Sequence, residues 1–384
     1  MSLFDKHIPL MRPWTGEEEA AAVREVILSG WVSLGPRVAE FEHAVATMLG
    51  AKHAVATTCA TTALHLSLET LGLRRGDEVI LPAFTCMANA NAVIIAGGEC
   101  RFADIEPRTF NLDPDDVERR ITPKTRAIMM VDQIGLPADL DRFKALSAKH
   151  GLILVDDAAT TFGGKYKGGY LGSHGVTTCF SFHPRKMITT GEGGMLVTDS
   201  VEQADRAKVL RSTGASVSDL VRHAAKGALF QQYFVSGYNY RMTDMQAAMG
   251  LVQLGKLPEM LRQRTEQARR YDAWIAAELG GEVLQPFVPD YATHAYSSYC
   301  ITLTEKAKVA ADDVVHRMAA RNVSCRRGIQ PLYREPYFEE HMRGLALPVT
   351  EDAARRTLFL PIFPGLLEEE QRQVMDALKL SLAA

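Results

Sequence analysis

The feature that most restricts the fold of this chain is an alternation of short apolar segments with longer amphipathic ones. Residues 152–155 form an uninterrupted apolar run, Leu-Ile-Leu-Val, of the kind found in strands buried on both faces. Strand patterns also occur at residues 53–57, 78–81 and 127–131, and helical patterns separate them. Strands that alternate with helices of roughly 10 to 15 residues predict βαβ units. We therefore predict an α/β fold with a mostly parallel sheet.

The pattern of predicted helices and strands changes near residue 250, and this change predicts two domains. Residues 1–250, including an N-terminal helical segment, form the expected large domain. Residues 251–384 contain a long charged helix predicted at about 258–279, strands predicted at 296–304 and 323–327, and further helices. This pattern is typical of a smaller α+β domain, and a chain of 384 residues is long enough for both.

The composition indicates a cytoplasmic protein that binds neither nucleic acid nor a membrane. The net charge of −3 is balanced, so neither nucleic acid nor an anionic membrane surface is expected as a partner. The sequence has no apolar run of about 18 residues, and residues 1–6 lack the layout of a signal peptide. The six cysteines are scattered without a CxxC pair, which favours reduced thiols over a zinc site or disulfides. We expect no metal.

One lysine follows a predicted buried strand, in a position where it could act as a catalytic residue. The strand at 177–182 includes Ser181, Lys186 follows it closely, and the glycine-rich segment 191–194 leads into another strand. In open α/β sheets, ligands bind at the carboxyl ends of strands. A desolvated lysine at such an edge can form a Schiff base with a carbonyl compound. The alternative is an ordinary surface lysine in a loop.

Two further segments predict polar groups at the ends of strands. The turn at residues 59–62 leads from a strand into a helix, and it contains Thr61 and Thr62. Hydroxyls and free backbone N–H groups at the positive end of a helix can bind phosphate, although a plain threonine cap is the alternative. The apolar run at 152–155 ends in Asp156 and Asp157. These carboxylates either cap the next turn or take part in a site.

Pyridoxal phosphate is the cofactor that needs an amine, a phosphate site and a carboxylate together. Its aldehyde reacts with an amine, its phosphate needs hydrogen-bond donors, and its ring nitrogen needs a carboxylate that keeps it protonated. The candidates for these three roles are Lys186, the 59–62 turn with Ser181, and Asp157. Neither GxxxxGK[ST] nor GxGxxG opens a predicted helix, so nucleotide-binding loops are not indicated.

Four segments give the chain a resemblance to a known family. They are GPRVAEFE, LVDDAA, FSFHPRK with the following TTGEGG, and YNYRMTDMQAAMGL, in this order. Together they resemble the DegT/DnrJ/StrS family of sugar aminotransferases over about residues 8–380. The resemblance implies a fold-type-I enzyme that uses pyridoxal 5'-phosphate, with a mostly parallel seven-stranded sheet in the large domain.

The resemblance assigns roles to five residues that bind the cofactor. Lys186 matches the Schiff-base lysine, and Asp157 matches the carboxylate on the ring nitrogen. Ser181 and the turn residues Thr61 and Thr62 match the ligands of the cofactor phosphate.

Other positions depart from the family pattern or point to a second subunit. Asn239 matches an asparagine that reaches the cofactor phosphate of the other subunit, which implies a homodimer with shared active sites. Cys86 stands where the family usually has an aromatic residue stacked on the cofactor ring, so stacking would have to come from elsewhere, for example Phe84. Thr160 stands where histidine or glutamine is common, and Ala60 where glycine is common.

Four residues are candidates for binding the substrate. Arg326 and Arg327 could contact a substrate diphosphate, because guanidinium binds phosphate bidentately; solvated charges at a strand end are the alternative. Trp31 and Tyr296 belong to segments expected near the substrate pocket.

The resemblance implies amino transfer from an amino acid, with glutamate the expected donor, to a nucleotide-linked keto sugar. A 4-keto-6-deoxy sugar is the favoured acceptor, in amino-sugar or polysaccharide biosynthesis. Alternatives are an aminotransferase for a cyclitol or another ketone, a sugar dehydratase that uses the same cofactor, and a regulatory protein that binds the cofactor without turnover. The dehydratase branch carries histidine in place of the lysine, so Lys186 favours amino transfer.

Overall fold

Seven strands form the main sheet in a computed structural model that describes residues 6–215 and 231–383. The described strands, in chain order, are β1 (His53–Thr57), β2 (Glu78–Pro82), β3 (Glu99–Ala103), β4 (Thr125–Val131), β5 (Ile153–Asp157), β6 (Lys165–Tyr166), β7 (Gly169–Tyr170), β8 (Thr177–Ser181), β9 (Gly194–Thr198), β10 (Val283–Leu284), β11 (Ala292–Thr293), β12 (Tyr299–Leu303), β13 (Arg326–Arg327) and β14 (Thr357–Leu360). The described helices are α1 (Glu17–Ser29), α2 (Pro36–Leu49), α3 (Ala60–Thr70), α4 (Met87–Ile95), α5 (Pro114–Arg120), α6 (Leu140–His150), α7 (Val201–Arg211), α8 (Asp244–Glu278), α9 (Ala311–Ala319), α10 (Pro336–Glu339), α11 (Pro348–Arg356) and α12 (Glu368–Leu382).

The main sheet has the strand order β1-β9-β8-β5-β4-β2-β3. Strand β9 runs antiparallel to both of its neighbours, and the remaining pairs are parallel. The predicted α/β fold with a mostly parallel seven-stranded sheet is therefore confirmed. Because parallel strands end at the same edge, β2, β4, β5 and β8 deliver the residues that follow them to one place.

A second core lies in the C-terminal part of the chain. It surrounds a four-stranded antiparallel sheet of order β10-β12-β14-β13, and α9 and α12 pack against each other beside it. Strand β11 pairs with β6 in a small third sheet, so the C-terminal part also contacts the large domain through backbone pairing. No described helix combines the length and the apolar character that a membrane span needs.

One long helix joins the two parts. Helix α8 has 35 residues and contains Pro258 in its interior, so the helix expected to begin near residue 258 in fact begins at Asp244. The helix packs on α1 and α2 at one end and contacts α12 at the other. The domain boundary proposed at residue 250 falls inside it. The buried Arg264 of α8 donates hydrogen bonds to three carbonyl oxygens of the C-terminal part, those of Tyr296, Ser297 and Ile362.

A glycine allows β9 to pass close to the start of α3. A Cβ atom at Gly194 would lie 2.3 Å from the Cys59 carbonyl oxygen and 2.7 Å from the Ala60 backbone nitrogen. These are backbone atoms of the turn that begins the helix, and they cannot move without displacing it. Glycine at residue 194 therefore fixes where α3 starts relative to the sheet.

We predict that Gly194→Ala destabilises the protein, because the added methyl group forces the α3 turn away from β9. The expected cost is about 1–3 kcal/mol or more, as for other overpacked sites. The matched control is Gly255→Ala on the exposed side of α8, where an added Cβ meets nothing within 4 Å. That change should stabilise the protein by roughly 0.5–1 kcal/mol. Thermal unfolding followed by circular dichroism measures both; equal midpoints for the two variants would contradict this account.

Candidate active site

A cavity of about 550 Å³ opens where β2, β4, β5 and β8 end. It also receives the start of α3 and the strand β13 from the C-terminal part. The predicted residues that line it are Thr61, Cys86, Asp157, Thr160, Ser181, Lys186 and Arg326. These predicted residues are up to 265 positions apart along the chain, and they meet in one cavity.

Lys186 lies half-buried in the turn after β8, and its amine faces this cavity. The backbone of the turn is held by the Lys186 N–H, which donates to the His183 carbonyl at 2.8 Å. Its amine makes no hydrogen bond or ion pair with the described residues. Burial lowers the pKa of the Lys186 amine; the Asp157 carboxylate opposes this shift, and Arg185 and Arg326 add to it. The shift makes the neutral amine, which is the nucleophilic form, more accessible than in a solvated lysine.

Asp157 ends β5 and is buried at the floor of the cavity. Its carboxylate accepts hydrogen bonds from Asn89 Nδ2 at 2.6 Å and from the Ala159 backbone N–H at 2.9 Å. Burial raises the pKa of Asp157, whereas these two donors and the charge of Lys186 act in the opposite direction. The carboxylate is thus held in a fixed orientation, as a partner of a protonated ring nitrogen must be.

Asn89 is a site residue that the sequence reasoning missed. It lies on α4, is fully buried, and has its amide oriented by the Thr85 hydroxyl, which donates to Asn89 Oδ1 at 2.9 Å. The available signal was its position on the same helical face as Ala92 and Val93, both fully buried. A polar side chain on an otherwise apolar buried face needs a partner, and that partner is Asp157.

The start of α3 forms the anion-binding side of the cavity. Cys59, Ala60 and Thr61 line it, and Ser181 lies at the end of β8 in the same cavity. Backbone N–H groups and the helix dipole favour an anion such as phosphate at this position. Thr62 does not line the cavity, and its hydroxyl is used within the turn, where it donates to the Cys59 carbonyl at 2.8 Å. The structure therefore brings Thr61, but not Thr62, into the site.

The three departures from the family pattern, Ala60, Cys86 and Thr160, also lie in the cavity wall. Cys86 is exposed at the start of α4, and Thr160 donates its hydroxyl proton to the Asp132 carbonyl at 2.7 Å. Phe84 is fully buried in a separate core, where its ring lies 5.7 Å from that of Phe110. The suggestion that Phe84 supplies ring stacking is wrong, because it is not among the residues that line the cavity.

The two arginines of β13 have different surroundings. Arg326 lines the cavity, with its guanidinium 4.7 Å from the centre of the Phe359 ring. Arg327 forms an ion pair with Asp312 at 3.0 Å and does not line the cavity. Successive side chains of a strand point to opposite faces, which explains the difference. The structure therefore places Arg326, but not Arg327, in the cavity.

Three other candidates lie outside the cavity. The Trp31 indole N–H donates to the Leu34 carbonyl at 3.3 Å. The ring of Tyr296 stacks on His294 at 4.2 Å, although the next residue along the chain, Ser297, lines the cavity. Asn239 is exposed and is not among the lining residues of its own subunit.

A pair of buried carboxyl groups lies behind Asp157. Asp132 accepts from the Ala138 N–H at 2.7 Å, and Asp156 accepts from the Thr178 hydroxyl at 3.2 Å. One oxygen of each has no hydrogen-bond partner among the described residues. Burial and the neighbouring carboxylates raise the pKa of Asp156 to about 7 and that of Asp132 well above its usual value. Both shifts favour the protonated acids, which limits the negative charge placed beside Asp157.

The residues of the cavity fit pyridoxal phosphate. The Lys186 amine, which has no hydrogen-bond partner among the described residues, lies in the same cavity as the buried Asp157 carboxylate. The start of α3, which is suited to phosphate, lines this cavity too. The close approach at Gly194, which leaves no room for a Cβ atom, sets the position of that helix start. Amine, carboxylate and phosphate site thus correspond to the three parts of the cofactor.

Comparisons with known proteins agree with this assignment. The model of the DegT/DnrJ/EryC1/StrS aminotransferase family matches residues 13–379. The spore coat polysaccharide biosynthesis protein SpsC of Bacillus subtilis (strain 168) is 36% identical over 376 residues, which are 97% of this chain and 96% of SpsC.

Solved structures are similar over nearly the whole chain. PseC of Helicobacter pylori, an aminotransferase involved in the biosynthesis of pseudoaminic acid, is 26% identical with a TM-score of 0.91, over 98% of this chain and 100% of that one. Spr1654 of Streptococcus pneumoniae, in its PMP-form, is 26% identical with a TM-score of 0.91, over 98% and 99% of the two chains. The same protein has also been solved in its PLP-form. This chain belongs to the DegT/DnrJ/EryC1/StrS aminotransferase family and is an aminotransferase that uses pyridoxal phosphate.

Proposed function

We propose that the protein transfers an amino group from an amino acid, with glutamate as the donor, to a keto sugar. The acceptor is a nucleotide-linked sugar, in the first instance a 4-keto-6-deoxy sugar, and the reaction serves amino-sugar or polysaccharide biosynthesis in the cytoplasm. The observation that carries the proposal is the meeting of the Lys186 amine and the Asp157 carboxylate in one cavity. A volume of about 550 Å³ is in the range of small-molecule sites. The relatives named for polysaccharide and pseudoaminic acid biosynthesis support a sugar acceptor.

The chemistry follows from the positions of the residues. Bound pyridoxal phosphate supplies an electron sink for the bond that is broken at the donor's α-carbon. Lys186 would hold the cofactor and then, once its amine is free, take up and return the proton as general base and acid. Asp157 would keep the ring nitrogen protonated, and the α3 start with Ser181 would hold the phosphate. A lysine at residue 186 favours amino transfer over sugar dehydration.

The other acceptors remain alternatives. An aminotransferase for a cyclitol would use the same residues, and a substrate panel separates it from one for nucleotide-linked sugars.

We predict that Lys186→Ala abolishes turnover, because both the covalent link to the cofactor and the mobile proton depend on this amine. The purified wild-type protein should show a visible absorption band that shifts to shorter wavelength when glutamate is added. The variant should show neither the band nor the shift. Lys186→Arg keeps the positive charge without a nucleophilic amine and should be equally inactive. Substantial turnover in either variant would remove Lys186 from the mechanism.

We predict that Asn89→Ala lowers kcat by about tenfold or more, the effect of removing one hydrogen bond to a charged group. Loss of the Asn89 donor favours the protonated form of the Asp157 carboxyl group and so raises its pKa further. The acidic limb of the pH–rate profile should therefore move to higher pH. Asn91→Ala, at an exposed position of the same helix, is the control and should leave the profile unchanged. An unshifted acidic limb in Asn89→Ala would contradict the role of this contact.

We further propose a homodimer with shared sites, supported by the surroundings of Asn239. The rings of Tyr238 and Tyr240 stack at 4.9 Å, and their hydroxyls contact Glu69 at 3.1 Å and His65 at 3.2 Å on α3. These contacts anchor the segment to its own subunit and leave the Asn239 side chain exposed. Nearby Tyr233 and Phe234 are also exposed, by 63% and 75%, as expected for a surface that a second copy covers.

We predict that mixtures of two defective variants regain activity. In a hybrid dimer of Lys186→Ala and Asn239→Ala subunits, one site receives an intact Lys186 from one chain and an intact Asn239 from the other. Activity after joint refolding should exceed the sum of the two separate variants. Activity no greater than that sum, in a sample shown to contain hybrids, would place Asn239 outside the partner's site.

A further inference from the structure

Arg185 and Arg326 are two arginines that line the cavity and have no counter-ion among the described residues. Arg185 precedes the cavity lysine in the turn after β8, whereas Arg326 belongs to β13 in the C-terminal part. Both side chains are exposed to solvent at the cavity. Within the described ranges, neither guanidinium forms a hydrogen bond or an ion pair. The Arg326 guanidinium instead makes a cation–π contact with the uncharged ring of Phe359.

The acidic groups of the cavity do not neutralise these arginines. Asp157 is buried at the floor and already accepts two hydrogen bonds. Glu192 is at the rim with 62% of its side chain exposed, and its described charged contact is with His183 at 3.9 Å. Burial lowers the pKa of Arg326, and the positive charge of Arg185 lowers it further, so the two cations also act on each other. Two like charges in one cavity are unfavourable until an anion lies between them.

The backbone fixes the position of Arg185. Its N–H donates to His183 Nδ1 at 3.1 Å, and the next N–H, that of Lys186, donates to the His183 carbonyl at 2.8 Å. The residue is therefore part of an ordered turn that also positions the cavity lysine. Arg326 is fixed in a different way, by pairing of its strand with Phe359 of β14. Two separate elements, one from each part of the chain, thus present guanidinium groups to the same cavity.

We propose that Arg185 and Arg326 together bind an oxyanion of the substrate at the mouth of this cavity. Guanidinium groups bind carboxylate and phosphate bidentately, and two of them suit a group with several oxygens. The inference rests on the proposed function, in which two substrates carry such a group. One is the carboxylate of the amino donor, and the other is the diphosphate of the nucleotide-linked acceptor. The site is distinct from the α3 start, where the cofactor phosphate is expected.

The test uses cofactor-loaded protein and two unreactive probes, inorganic pyrophosphate and glutarate. Isothermal titration calorimetry should show that the wild type binds at least one of them. Arg185→Gln and Arg326→Gln should each weaken that binding by about tenfold or more, as expected for loss of a charged hydrogen-bonded contact. If both arginines hold the same ion, the double variant should lose less than the product of the two single effects. Weakened pyrophosphate binding assigns the site to the acceptor, and weakened glutarate binding assigns it to the donor.

The matched control is Arg327→Gln, which removes an equal charge from the same strand. Arg327 is paired with Asp312 outside the cavity, so this variant should bind the probe as the wild type does. An equal loss in Arg327→Gln would mean that general charge, and not a site, attracts the anion. Binding that is unchanged in Arg185→Gln and Arg326→Gln, or no probe binding by the wild type, would overturn the inference. Because the probes do not react, a failure of amino transfer with intact probe binding would contradict the proposed function alone.

Discussion

The parallel arrangement of β2, β4, β5 and β8 is the constraint on which the rest of the structure depends. Their shared direction brings four carboxyl ends to one edge, so that residues far apart in the chain become neighbours. Asp157 is placed by β5 pairing with Val131 of β4 on one side and Cys179 of β8 on the other. A change of register by one residue would turn this carboxylate to the opposite face of the sheet. Sheet pairing thus sets the geometry of the site before any ligand binds.

The electrostatics of this edge follow from how each buried charge is compensated. An ionised carboxylate in an apolar floor is stable only with donors, and Asn89 together with the Ala159 N–H supply them. Among the described residues no cation pairs with the neighbouring Asp132 and Asp156, and burial raises the pKa of both, which favours their uncharged forms. The result is a carboxylate with fixed donors at the floor, in the same cavity as an amine whose pKa is lowered by burial.

The fold class could be predicted from the sequence because it depends on local periodicity. Contacts between residues far apart in the chain could not be predicted in this way. The alternating pattern was sufficient for the α/β class, and strand ends located Asp157, Ser181 and Lys186, which do line one cavity. Pro258 suggested a helix boundary, but the packing of α8 on both parts of the chain outweighs the loss of one backbone hydrogen bond. Asn89 was missed because its role depends on a partner 68 residues away, a proximity that no local pattern encodes.

The orientation of Arg326 and Arg327 also depends on a contact that the sequence pattern does not reveal. Alternation along a strand requires Arg326 and Arg327 to face opposite ways, but which one faces the cavity depends on how β13 pairs with β14. With Arg326 at the mouth and Asp157 at the floor, the electrostatic potential is more positive at the mouth of the cavity than at its floor. A substrate with an anionic group and a separate reacting group lowers its energy when the anion stays near the guanidinium groups and the reacting carbon approaches the lysine. The charge pattern of the chain itself therefore favours one orientation of the bound substrate.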